Sequence, residues 1–187
     1  MSPDPKPITT IEELLALPED GLRHELLDGE HVVTSMPSLP HQLTLTRLLE
    51  LLRPALSEPT DLKMFFSPAD IVLGPRTLVQ PDLFMFRIDP VSPPTSWEEA
   101  GIPALVVEVT SPETAGRDRI KKRRIYQQAG VAEYWIVDLD AQLVERWCPG
   151  DVRPENLDER LVWPRDGEPL LTLDVEAVFQ HWPRPSG

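Results

Sequence analysis

Apolar residues return along this chain in two rhythms, one of about 3.6 residues and one of two. Ile11, Leu14, Leu15 and Leu17 follow Thr10 and Glu13, which stand at the S/T-x-x-E spacing of a capping box, so a short helix is expected before Pro18. From about Pro40, residues Leu43, Leu45, Leu48, Leu49, Leu52 and Leu56 recur at helical spacing and predict a core helix. Between these, LRHELLDGEHVVTS (22–35) sets Asp28-Gly29 between two short runs containing β-formers, the pattern of a β-hairpin. Short strands are expected at KMFFS (63–67), DIVLG (70–74) and TLVQPDLFMF (77–86), followed by a Pro- and Ser-rich loop over 87–102. PALVVEVTSP (103–112) scarcely alternates and reads as a strand buried on both faces. A helix is expected over about 116–129, closed by Gly130. EYWIVDL (133–139) is a second buried strand, with QLVERWC (142–148) as its hairpin partner. The tail, with LVW, PLLTL and DVEAVFQHW, predicts a sheet extension and a closing helix. The order of elements predicts one α/β domain over 1–187, a mixed β-sheet flanked by helices, with its core at about 8–148 and a C-terminal extension over 149–187.

Composition narrows the function classes. Proline supplies 22 of 187 residues, more than twice the usual share of about 5%, which favours short elements and loops. The net charge of −13 disfavours a generic polyanion binder, since such binding rests on Lys and Arg neutralising phosphates. No apolar run is long enough for a membrane span, and MSPDPKPITT lacks the apolar core of a secretory signal, so a soluble cytoplasmic protein is the expectation. Cys148 is the single cysteine and has no neighbouring histidine in sequence, which argues against a thiol nucleophile. Phosphate-loop, dinucleotide and zinc motifs are all missing, and His31 and His181 have no partner at metal-ligand spacing. Tyr134 and Trp135 read as core residues of their strand.

The chemistry is signalled by charges in apolar surroundings. Glu108 lies inside Ala-Leu-Val-Val-Glu-Val, where an unpaired carboxylate would cost several kcal/mol. It must therefore be paired, protonated or metal-bound; a buried ion pair is the structural alternative, and a metal the favoured one. Asp82, in Leu-Val-Gln-Pro-Asp-Leu-Phe-Met-Phe, repeats the pattern, with a hydrogen bond to its own backbone as the alternative. Two acids on neighbouring strands together suit one hard cation that keeps some of its waters. In the helix, Asp118, Lys122 and Tyr126 stand at i, i+4 and i+8 and share a face, with Ile125 and Ala129 beside it. Lys122 is thereby a candidate to reach the acids and Asp118 to orient it. Six of the 18 basic residues fall within 117–124, a local patch that could grip a phosphate backbone, although a charge run is usually a solvated face.

These residues carry a resemblance. VQPDLFMF, VVEVTSPET and RDRIKKRRIYQQAGVAEYWIVD, in that order, are similar to the signature blocks of the Uma-type restriction endonuclease family, a branch of the PD-(D/E)XK nuclease superfamily. Upstream, ITTIEELLALPEDGLRHELLDGE resembles the opening block, so the likeness runs over about 8–148. It implies a restriction-endonuclease-like mixed sheet and a site for phosphodiester hydrolysis dependent on Mg²⁺ or Mn²⁺. On this likeness Asp82 and Glu108 are the metal-binding acids and Glu25 a further metal ligand, with a solvent-facing strand carboxylate as the plainer alternative for Glu25. Thr110 stands where the superfamily places its lysine, and the resemblance assigns that role to Lys122 in the next helix. Tyr126 and His41 are supporting candidates; for His41 local hydrogen bonding comes first and substrate contact second. The implied partner is nucleic acid, DNA first; a homodimer is expected because pairing two basic helices on one face would offset the acidic surface.

Three function classes remain open on the sequence. A metal-dependent nuclease is favoured by the joint presence of Asp82, Glu108 and Lys122. A non-catalytic nuclease-fold binding module is favoured by the acidic charge and by Thr110. A hydrolase of another phosphodiester would not need strong DNA affinity.

Overall fold

The computed structural model describes residues 7–56 and 61–180; His181 and Trp182 of the expected closing helix lie outside them. The capping box forms as its spacing predicts. Thr10 accepts from the Glu13 amide while Glu13 accepts from the Thr9 and Thr10 amides, which starts helix α1 (Ile11–Leu15). Leu14 enters the core, whereas Leu15 stays exposed. Strands β1 (Arg23–Leu27) and β2 (Glu30–Thr34) make the hairpin. Its turn holds Asp28 at φ 54° and Gly29 at φ 84°, the left-handed pair that a type I′ turn requires. A Cβ at Gly29 would also strike the Arg76 side chain.

Helix α2 (Leu39–Leu52) starts on Ser38, continues as a 3₁₀ turn to Leu56, and buries Thr44, Leu45, Leu48 and Leu52. Strands β3 (Leu62–Phe66), β4 (Ile71–Gly74), β5 (Thr77–Val79) and β6 (Leu83–Arg87) follow. The stretch 77–86, expected as one strand, is thus two. Gln80-Pro81-Asp82 interrupts it, because Pro81 has no amide to continue a ladder, and β5 and β6 join different sheets. The loop expected over 87–102 contains a single-turn helix, α3 (Trp97–Ala100), ahead of β7 (Leu105–Thr110).

The next helix differs from its expectation in start and in regularity. It begins at Pro112 with α4 (Pro112–Arg117), passes through a π-helical segment at Asp118–Lys122, and resumes as α5 (Arg123–Ala129). The widened turn buries both Asp118 and Lys122 on the inner face; such insertions are frequent at functional sites. Gly130 ends the helix at φ 84°.

Strands β8 (Glu133–Asp138), β9 (Leu143–Trp147) and β10 (Glu155–Leu157) complete a six-stranded sheet in the order β10-β9-β8-β7-β6-β3. Only β7 and β8 run parallel, and the helix of residues 112–129 is their crossover. A second sheet has the order β2-β1-β5-β4. Strands β11 (Arg160–Trp163) and β12 (Leu171–Asp174) pair with each other, so of the tail only β10 extends the main sheet. Helix α6 (Val175–Val178) follows.

Both faces of the six-stranded sheet are covered, which explains why its central strands lack alternation. Odd-numbered positions such as Leu83, Val107, Trp135 and Val137 pack against α2, β11, β12 and α6. Even-numbered Phe84, Phe86, Val106, Tyr134 and Ile136 pack against Ile125 and Tyr126 of α5 and against Leu27 and Val79 of the second sheet. Among the described residues no helix is long and apolar enough to cross a membrane.

Candidate active site

Alternation along β6 and β7 places both candidate acids on the even-numbered face. Leu83 pairs with Val107 in the antiparallel register, so one step beyond this pair Asp82 stands across from Glu108. The interruption at Pro81 frees the Asp82 side chain to accept from the Val109 amide at 2.9 Å, a bond to the neighbouring strand and not to its own backbone. Both acids line a cleft of about 330 Å³, together with Glu25 and Arg23 of β1, His41 of α2, and Arg117, Asp118 and Lys122 of the crossover helix.

Lys122 is buried and its Nζ lies 2.8 Å from Glu108 Oε1 and 2.8 Å from Glu25 Oε1. Glu25 also accepts from the Gln80 amide at 2.8 Å, which rules out the solvent-facing alternative for this residue. Tyr126 Oη donates to Glu108 Oε1 at 2.9 Å. Two donors thus converge on Oε1, and Oε2 is the oxygen left for the cleft. Burial pushes the Glu108 carboxyl up to about 8; Lys122 opposes this, but the charges of Asp82, Asp118 and Glu25 reinforce it. Burial acts the same way on Glu25, yet there Lys122, the Gln80 amide and Arg23 prevail and hold the carboxyl below its usual range. Glu25 and Lys122 therefore form the charged pair, while Glu108 holds its proton near neutrality. Lys122 stays cationic well above its ordinary value, since Glu108, Glu25 and Asp118 outweigh its desolvation. The structural alternative weighed for Glu108, a lysine contact, is thus present. Loss of Lys122 would leave two buried acids without their cationic neighbour, so a Lys122→Ala variant is expected to destabilise the fold.

Asp82 meets two further partners. Arg23 Nη1 lies 2.7 Å from Oδ1 and His41 Nε2 lies 2.9 Å from Oδ2. Burial alone would raise its pKa, but the His41 hydrogen bond and the Arg23 charge carry it far below the usual carboxylate range. His41 is therefore more than a local helix residue: it bridges from α2 to a carboxylate 41 positions away.

The helix distributes its charges differently from the expected patch. Asp118 accepts from the Thr110 hydroxyl at 2.9 Å, so Thr110, at the missing-lysine position, holds Asp118, and Asp118 acts on Lys122 only through its charge. Tyr134 packs behind, donating to the Asp118 carbonyl at 3.3 Å. Arg119 pairs with Asp138 and with Glu145, Lys121 pairs with Glu30, and Arg123 lies over the Trp147 ring at 4.8 Å. Arg119 and Lys121 are thus neutralised within the molecule, while Arg117 lines the cleft. His31, without a partner by sequence spacing, stacks on His24 at 5.2 Å between ring centroids, away from the cleft.

Arg23 escaped the sequence reading. Its signal was available: it stands two residues before Glu25 on a strand, so both face the same side. Among the described residues no three His, Cys, Asp or Glu side chains converge to hold a metal unaided. A donor set of Asp82 and Glu108, oxygen only and two carboxylates strong, suits Mg²⁺ or Mn²⁺ completed by water and substrate. Glu25 lies beside this pair, held by Lys122 and the Gln80 amide.

No curated protein matches the sequence. One solved structure, titled a putative nuclease belonging to DUF820 from Anabaena variabilis, superposes with a TM-score of 0.75 at 19% identity, covering 91% of this chain and 97% of that one, which shows a shared fold. The model of the Uma2 family, described as "Putative restriction endonuclease", matches residues 11–176, and the chain belongs to that family.

Proposed function

We propose that the protein is a metal-dependent nuclease that hydrolyses phosphodiester bonds of nucleic acid at the cleft between β1, β6, β7 and the crossover helix. The observation that carries this reading is the meeting of two buried strand carboxylates, Asp82 and Glu108, with a buried lysine at the floor of one open cleft. Asp82 and Glu108 Oε2 would hold the cation. When bound, Mg²⁺ or Mn²⁺ supplies Lewis-acid polarisation of a phosphoryl oxygen and a water of lowered pKa. In the net reaction water adds to phosphorus, one P–O ester bond breaks, and the products are a phosphomonoester and an alcohol. Tyr126 fixes the Glu108 rotamer through Oε1. Lys122 sits beside Glu108, where its permanent charge stabilises negative charge developing on the phosphate. His41 and Arg23 fix the Asp82 carboxylate from its two oxygens.

The neutralised Arg119 and Lys121 and the net charge of −13 favour a second reading, a phosphodiesterase acting on a smaller substrate than duplex DNA. A homodimer would supply paired sites for cutting both strands, and sedimentation velocity measures it directly. The deciding assay follows hydrolysis of single-stranded DNA, duplex DNA, RNA and an activated aryl phosphodiester with Mg²⁺ or Mn²⁺. Turnover should fall by at least about 10²–10³-fold in Asp82→Asn and Glu108→Gln. Cleavage of only the aryl ester would select the second reading, and no turnover of any substrate would leave the nuclease-fold binding module.

A further inference from the structure

The cleft contains more cationic hydrogen-bonding capacity than its acids use. Within the described residues, seven buried side-chain polar atoms make no hydrogen bond, and four of them, Arg23 Nε, Thr34 Oγ1, His41 Nδ1 and Arg117 Nε, belong to residues lining this one cleft. Buried donors are seldom left without a partner, because each such atom costs about 1–3 kcal/mol. Arg23 has Nη1 on Asp82 and Nη2 on the Gln80 carbonyl, so Nε is its one nitrogen without a hydrogen bond. Arg117 is freer still: its ion-pair partner among the described residues is Asp118, at 3.8 Å, beyond hydrogen-bond reach. Arg119, two residues on, is by contrast fully engaged with Asp138 and Glu145. Unused donor capacity is therefore concentrated inside the cleft, on two guanidinium groups from different elements.

A guanidinium carries its donors in a planar fork that matches a phosphate or carboxylate. A carboxylate ligand offers two oxygens in one plane and so suits a single fork. A tetrahedral phosphate group, with more oxygens to share between two walls, suits both forks at once. We propose that Arg23 and Arg117 form a phosphate clamp, with Thr34 as an additional hydroxyl donor, that seats the substrate's phosphate over Asp82 and Glu108. This rests on the reading of the cleft as a phosphodiester site and adds to it the residues that bind the anion. It also places affinity in the cleft interior, so the ligand is a strand that can enter it, single or splayed, and the acidic exterior is no obstacle.

The test is binding without chemistry. Full-length protein in EDTA is titrated with inorganic phosphate and with a deoxydinucleotide carrying one internal phosphodiester, for wild type, Arg117→Gln, Arg117→Lys and Arg124→Gln. Arg124 is exposed on the same helix and serves as the control for helix charge. The clamp predicts saturable binding of the dinucleotide that weakens about tenfold to hundredfold in Arg117→Gln, is partly restored in Arg117→Lys, and is unchanged in Arg124→Gln. Equal losses in Arg117→Gln and Arg124→Gln, or no loss in a folded Arg117→Gln, overturn it, as does wild-type protein that binds neither probe. If the wild type binds in this Arg117-dependent way yet hydrolyses nothing with Mg²⁺, the clamp stands and the nuclease reading falls. If it hydrolyses nucleic acid while Arg117→Gln binds and cuts as wild type, the nuclease reading stands and the clamp falls.

Discussion

The six-stranded sheet buries two clusters of opposite charge, and they are built to different ends. At one end of β8, Glu133 accepts from Trp135 Nε1 at 2.9 Å and from the Arg165 amide, while Arg146 spends its donors on Glu155 and on the Val162 carbonyl. That cluster does not border the cleft, and neither Glu133 nor Arg146 has a buried side-chain atom without a partner. Around Glu108 there are four carboxylates, Glu25, Asp82, Glu108 and Asp118, open to a cavity and accompanied by donors left over on Arg23 and Arg117. A buried ion pair alone is thus no sign of a site. Crowded acids, a proton held against the usual carboxylate range, and leftover donors facing one cavity are what distinguish the second cluster from the first.

The sharpest way to separate the clusters is to remove one cation from each. Lys122→Met leaves Glu25 and Glu108 buried together without their cation, and chemical denaturation should register a loss of about 3–5 kcal/mol, with hydrolysis lost as well. If stability were unchanged, Lys122 would not be the group that satisfies these acids.

A second contrast is in pH. The Glu108 carboxyl, raised from about 4.5 to about 8, binds its proton more tightly in the folded state than in the unfolded one. Its stabilisation is complete below pH 4.5 and is lost as pH climbs through 8, on the order of a few kcal/mol. Asp82 and Glu25, held low, act in the opposite direction and lose their contribution only as pH falls through the acid range. Stability of wild type minus that of Glu108→Gln, measured at intervals from pH 5 to 9, should therefore decline with rising pH; a flat difference would remove the protonated Glu108 from the account. The smallest effect is expected in the other cluster. Arg146→Met, whose partner Glu155 is half exposed, should cost about 1–2 kcal/mol and leave hydrolysis and metal binding untouched. Loss of activity there would blur the division drawn between the two.

Much of this was legible in the chain, and the gaps have physical reasons. Helix α1 and the hairpin announced themselves through local chemistry, the Thr10–Glu13 box and Asp28-Gly29, whose geometry is fixed within a few residues. Asp82, Glu108 and Lys122 stood out as charges in apolar or helical register, and the fold does gather them. What stayed hidden depends on long-range approach. Arg23 reaches Asp82 across 59 positions and His41 reaches it across 41, and neither pairing has a local pattern. The basic run of 117–124 misled because its partners, Asp138, Glu145 and Glu30, come from three different strands. The π-helical segment has no sequence mark of its own here, yet it is what buries Asp118 and Lys122 together.

The central claim, that Asp82 and Glu108 form a cation site, is tested most directly by calorimetric titration of Mn²⁺ into wild type, Asp82→Asn and Glu133→Gln at pH 7. The account predicts saturable binding with release of about one proton in wild type, the same binding in Glu133→Gln, and none in folded Asp82→Asn. Binding that survives in Asp82→Asn, or is lost equally in Glu133→Gln, would contradict it.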